Sequence, residues 1–183
     1  KGPGEGFSSN NNTTQEPQSP FDIAEQKAVK AIQKHSMNIN GKEKNKKIDD
    51  AYLLLGKSRY YTERFIPAID AYNYIISNYP NASLINETKI WRAKAHIRID
   101  NEDLAIETLE LLLKQPELPD QIREEANTAL AMAYTKIDSL QEAKKHLWLA
   151  TKTSENKVQK ARNLFILGQM YGNENIKDSA TLV

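Results

Sequence analysis

Three histidines, His35, His96 and His146, are the side chains best suited to moving protons near neutral pH. They stand in three separate stretches, and no HExxH or comparable ligand spacing includes any of them. The absence of cysteine removes disulfides, thiolate metal sites and cysteine nucleophiles together. Two acidic pairs, Asp49-Asp50 and Glu124-Glu125, would suit general acid–base work only if both carboxylates faced one substrate. Neighbours on a helix diverge by about 100°. Both pairs fall where helices are expected to begin, and there a carboxylate favours the macrodipole. The sequence therefore reads as non-enzymatic, with no catalytic residue, no metal and no cofactor.

Charge narrows the partners. Lys and Arg number 25 against 24 Asp and Glu, a net charge of +1. Wholesale nucleic-acid binding would show as a basic surplus, so none is expected. Residues 22 to 47 hold seven Lys against three acids, a local excess read as a solvated loop around the turn signal Asn40-Gly41. No apolar run approaches the roughly 20 residues of a membrane span. The chain starts at Lys1 with no Met, signal peptide or lipidation site, and so reads as a processed or excised segment. Its last residues, to Val183, read as a continuing helix.

Positioning any functional side chain falls to helices. Residues 1–20 hold three of seven Gly, three of seven Pro and a polar run from Ser8 to Gln15, with Phe7 the only large apolar residue. Burial there does not offset the entropy of ordering, and a disordered tail or linker is expected. Residues 21–183 hold only four Gly and four Pro, and apolar positions recur at helical spacing, as in Phe65, Ala68, Ile69, Tyr72, Ile75, Ile76 and Tyr79. No sustained alternation announces a strand. Breakers separate the periods at Tyr79-Pro80-Asn81, Gln115 to Pro119, and Ile137-Asp138-Ser139. Ser139 and Glu142 have capping-box spacing, and Pro67 is placed in a first helical turn.

Self-comparison supplies the architecture. Ala68, Ala105, Ala143 and Ala180 are each expected to open a second helix, at separations of 37, 38 and 37 residues. Twelve positions before them stand Gly56, Ala93, Ala131 and Gly168, all small. This is the layout of tetratricopeptide (TPR) repeats, a unit of about 34 residues lengthened here in its loops. Tyr52, Leu55, Gly56, Phe65, Ala68, Tyr72 and Pro80 match it well, whereas Arg92 and Glu102 make the second unit degenerate. The expectation is an all-α, TPR-type solenoid of about four helix-turn-helix repeats over residues 21–183, truncated at both ends. An extra helix precedes them over 21 to 37, either the second helix of an earlier repeat or a cap.

The segment Lys47 to Tyr61 with Arg64-Phe65-Ile66-Pro67-Ala68, and Ala31 to Met37 before it, resembles the TPR lipoproteins of Bacteroidota that serve type IX secretion and gliding motility (the SprE/PorW group). The resemblance covers about residues 21 to 183. It implies a scaffold on the periplasmic side of the outer membrane, associated with other protein subunits of the secretion machinery. The lipidated cysteine of that group is absent, so a membrane anchor would lie upstream of Lys1.

TPR proteins bind through the concave face, lined by the first helix of each pair. Carrying those positions over places Leu53, Lys57, Tyr60 and Tyr61 in the first unit, Ile90, Lys94, Ile97 and Arg98 in the second, and Thr128, Met132, Thr135 and Lys136 in the third. This strip mixes cations with aromatic and aliphatic groups, suiting an extended segment with acidic and apolar side chains. The Lys/Asn pattern that clamps chaperone C-termini is missing. Asp138-Ser139-Leu140 and Asp178-Ser179-Ala180 resemble a Bacteroidota O-glycosylation signal but read first as helix-capping turns. The leading reading is a secretion scaffold. A generic cytosolic TPR adaptor, or a regulatory or substrate-binding TPR domain from a larger enzyme, stands as the alternative.

Overall fold

The computed structural model describes residues 18–180, so residues 1–17 of the expected tail lie outside them. The first helix, α1 (Pro20–His35), starts with a formed capping box: Ser19 Oγ accepts from the Asp22 amide, and the Asp22 carboxylate accepts from the Ser19 amide. A minimal hairpin follows, β1 (Asn38–Ile39) with β2 (Lys42–Glu43), turned by Asn40 and Gly41 at φ of 54° and 76°. Glu43 holds it by accepting from the Met37 and Asn45 amides, both at 2.8 Å. The Asn-Gly turn signal thus closes two short strands rather than a loop.

Three helix pairs follow: α2 (Ile48–Tyr61) with α3 (Phe65–Asn78), α4 (Ile85–Arg98) with α5 (Glu102–Leu113), and α6 (Asp120–Lys136) with α7 (Leu140–Thr153). Each helix packs on the next in sequence, and α4 also packs on α6. The last helix, α8 (Lys157–Ala180), lies against α7. The protein is an all-α helical repeat solenoid of TPR type, and the degenerate second unit closes like its neighbours.

The backbone repeats as faithfully as the alanines. Each pair turns through one non-glycine residue in left-handed conformation, Glu63, Asp100 and Asp138, with φ of 60°, 59° and 59°. Their separations match those of Ala68, Ala105 and Ala143, all fully buried at the pair interfaces. Size is matched across each interface. Gly56 faces Tyr72, and a Cβ there would lie 2.3 Å from the Tyr72 ring. In the later units the same two positions are Ala93 with Leu109 and Ala131 with Leu147, a larger small residue against a smaller large one.

The fourth unit departs from expectation. Ala180 does not open a second helix, because α8 runs unbroken to it, and a Cβ on Gly168 would meet nothing within 4 Å. Elsewhere the returning helix offsets the cost of the left-handed turn residue. Among the described residues nothing packs back on α8, so the ladder continues. Three closed pairs and one open helix therefore replace about four repeats. Asp178-Ser179-Ala180 is helical, not a turn. Ser139 does stand at the N-cap of α7 but makes no side-chain capping bond, and Glu142 pairs with Lys145 instead.

At the other end α1 covers Leu55 and Ala71 with Ala28, Val29 and Ile32, and turns Gln26, Lys27, Lys30, Gln33 and Lys34 to solvent. A polar outer face is what a capping helix needs. Glu25 of α1 pairs with Arg59 and Arg64. Burial raises its pKa, but the hydrogen bonds and charges of the two arginines outweigh that, and the net shift is downward.

His146 sits between α6 and α7, with Nδ1 2.8 Å from Asn127 Oδ1 and its ring stacked on Tyr134. The Asn127 amide nitrogen is committed to the Arg123 carbonyl, so Nδ1 carries the proton. Tyr134 is pushed up to about 12 by burial and by its hydrogen bond to Glu110. Burial lowers the pKa of His146, and burial with Arg92 lowers that of His96.

Two outcomes follow from this packing. Gly56→Ala should lower the unfolding free energy, read by denaturant titration, by about 1–3 kcal/mol through overpacking against Tyr72. Gly168→Ala, in open space at the same repeat position, should raise it by up to about 1 kcal/mol through helix propensity. Shifts of the same sign would contradict the register or the open face. For His146 the folded pKa lies below the unfolded value of about 6.5, so its contribution is complete above that pH and is lost as pH falls below it. Stability should therefore decline on acidification from about pH 7 to 5, and less steeply in His146→Gln. Identical slopes in urea midpoints would rule this out.

Candidate functional site

The first helices of successive pairs, α2, α4 and α6, lie side by side, and α8 extends the row. Their common face forms a groove of about 1280 Å³. On α6 the stripe Gln121, Glu124, Glu125, Thr128, Met132 and Thr135 faces it, at the spacing of one helical face. On α8 the corresponding stripe is Gln159, Arg162, Asn163, Ile166 and Met170.

Nine of the twelve sequence-derived residues line this groove: Tyr60, Tyr61, Lys94, Ile97, Arg98, Thr128, Met132, Thr135 and Lys136. Leu53 and Ile90 do not, and this is a correction. Each stands three residues before the small position of its helix, which turns it onto the pair interface. Leu53 packs with Ala68 and Tyr72, and Ile90 with Leu109 and Leu130. Lys57 is outside the lining and forms an ion pair with Glu87.

One end of the groove is aromatic. Trp91 stands edge-on to Tyr60 and Tyr61, with ring centroids 5.4 and 5.7 Å away. Tyr61 also stacks on Phe21 at 4.7 Å, and Tyr60 meets Phe65 edge-on. Lys94 Nζ lies 4.4 Å from the Trp91 centroid and Arg98 lies 4.7 Å from that of Phe65, both within cation–π range. Burial lowers the pKa of Lys94; Glu125 and Glu87 act against that and Lys57 with it. Burial raises that of Tyr60.

The cations of the strip are less available than their spacing implies. Arg98 lies 3.6 Å from Glu63. Lys136 pairs with Asp100 and, at 2.9 Å, with Glu102; these bonds raise its pKa and lower that of Glu102. The other end of the groove, between α6 and α8, carries Glu124, Glu125 and Glu155 against Arg162. Charge is thus divided along the groove rather than uniformly basic.

Trp91, the α6 acids and the whole α8 wall escape the residue-by-residue mapping. The α8 wall had only an approximate signal: the repeat step of 37 residues from Thr128 and Met132 lands on Phe165 and Gln169, one residue short of Ile166 and Met170 in the groove. Trp91 and Glu124 had none, since neither belongs to the repeat pattern.

Among the described residues no three His, Asp or Glu side chains converge as a metal site. No helix there is long and apolar enough to cross a membrane. Fold and groove define a TPR-type helical repeat protein whose concave face is open. Compared with known proteins, the chain matches no family model, and no curated protein matches it.

Proposed function

We propose that the chain is a non-enzymatic scaffold that holds a partner protein segment in this groove. The observation that carries the proposal is the aromatic end, where Tyr60, Tyr61 and Trp91 gather beside Lys94 and Arg98 on the concave face. Aromatic and arginine side chains dominate protein–protein binding energy, because they bury much area and keep a directional polar group. A row of parallel helices offers a long, shallow surface, which suits an extended segment better than a small molecule. The resemblance of Lys47 to Tyr61 and Ala31 to Met37 to the secretion and gliding lipoproteins supports a role in an outer-membrane type IX apparatus. In that role its partners are secretion-machinery subunits, and it works on the periplasmic side beneath a lipid anchor placed upstream of Lys1.

The test needs variants that disturb the groove without disturbing the core. Tyr60 packs into the core around Tyr72, so its loss would confound folding with binding. Tyr61 is 51% exposed, and Arg98 makes a surface ion pair, worth at most about 1 kcal/mol, and a cation–π contact with Phe65 of similar size. The double variant Tyr61→Ala, Arg98→Ala should therefore melt within a few degrees of the wild type. Its partner should be lost, with about 2 kcal/mol, or roughly thirtyfold in affinity, gone at each anchor. Affinity capture from Bacteroidota envelope fractions, read by mass spectrometry, checks this. Secretion subunits recovered by the wild type alone agree with the proposal. Equal recovery by both moves the interface off the groove, and recovery of cytosolic proteins only favours a cytosolic adaptor.

A further inference from the structure

The groove also indicates what its occupant carries at one end. Glu124 is only 5% exposed, yet one of its carboxylate oxygens, Oε1, has no hydrogen-bond partner. It belongs to the α6 stripe that faces the groove, so the helix directs it there rather than into the α6–α7 core. The hydroxyl of Thr153, at the end of α7 and on the same wall, is likewise buried and unpartnered. Their neighbour Asn163, fully buried on α8, is already satisfied: its amide donates to Thr128 Oγ1 at 3.3 Å and its carbonyl accepts from Gln159 at 3.1 Å. The protein's own donors therefore serve Asn163 and leave Glu124 open.

A carboxylate oxygen withdrawn from water without a donor is costly, and such an atom in a groove marks a place where a donor arrives with the ligand. Glu125 and Glu155 stand at the same end; among the described residues lining it, Arg162 is the one cation against the three acids, and the potential there is negative. On the α4 side of the groove the situation is reversed. There Trp91 Nε1 is a buried donor without an acceptor, with Lys94 over its ring. The two vacancies are complementary in sign and lie in one groove.

We propose that the α6–α8 end of the groove binds a lysine or arginine side chain of the partner segment, with Glu124 as its acceptor. The acceptor-rich or acidic part of the same segment runs toward Trp91 and Lys94, which fixes its direction. This rests on the reading of the groove as a partner site and adds the chemistry and polarity of the partner.

The probe is a displayed library of short random peptides selected on the full chain, on Glu124→Gln, and on the double variant Tyr61→Ala, Arg98→Ala. Wild type should enrich peptides with Lys or Arg at one fixed position. Replacing that residue by norleucine, which keeps the chain and deletes the charge, should weaken the strongest peptide about ten- to hundredfold on wild type. On Glu124→Gln the same replacement should change little. The melting midpoint of Glu124→Gln should not fall, since the substitution removes a largely buried charge whose Oε1 has no partner in the protein. Peptides that lose binding on the double variant but carry no fixed basic residue would overturn this inference and leave the groove intact. So would an equal norleucine loss on both proteins, or a lowered midpoint that makes Glu124 a structural acceptor. Peptides indifferent to the double variant, or no selected peptide, would overturn the groove and the inference together. The norleucine comparison on the unaltered protein holds whether or not the variant folds.

Discussion

In each closed pair a small residue on the first helix faces a large one on the second: Gly56 and Tyr72, Ala93 and Leu109, Ala131 and Leu147. The fit sets how closely two antiparallel helices approach, and the rest of the solenoid inherits that spacing. Where the facing side chain is a tyrosine ring even one methyl is excluded, so glycine is required despite its cost inside a helix. A leucine opposite leaves room for alanine. The three turns at Glu63, Asp100 and Asp138 each place one residue in the left-handed region.

The groove is a consequence of that stacking. Second helices packed behind bring α2, α4 and α6 into one row, and side chains one helical turn apart on each become neighbours across the row. Among the described residues the two ends of the row differ. α1 closes one end with a polar outer face, held by Glu25 to Arg59 and Arg64. α8 leaves the other open: Phe165 is 67% and Val158 80% exposed, and Gly168 faces empty space.

The pair architecture was legible in the sequence because it rests on local volume, and volume is a property of residue type. Spacing of Ala68, Ala105 and Ala143 located three pairs, including the degenerate second one. Ala180 misled for the same reason, since an alanine in phase shows that a partner helix would fit, not that one is there. In the groove, Leu53 and Ile90 were carried over from a family pattern although their own helices turn them inward. Lys136 and Arg98 looked free because their partners, Asp100 and Glu63 in the turns and Glu102 at the start of α5, are brought to them by a chain course the sequence does not reveal. Trp91 stayed unseen, and Glu124 was read only as one of an acidic pair at a helix start. Neither repeats, and what distinguishes them is the hydrogen bond each lacks in the folded chain.

The central claim is that the concave face is the working surface. Hydrogen–deuterium exchange of the full chain, with and without the partner captured from envelope fractions, tests it most directly. Binding in the groove should slow exchange in the segments that line it, residues 60 to 61, 91 to 98, 121 to 136 and 159 to 170. The outward faces of α3, α5 and α7 should exchange as before. Slowed exchange confined to those second helices, with the groove segments unchanged, would contradict the account.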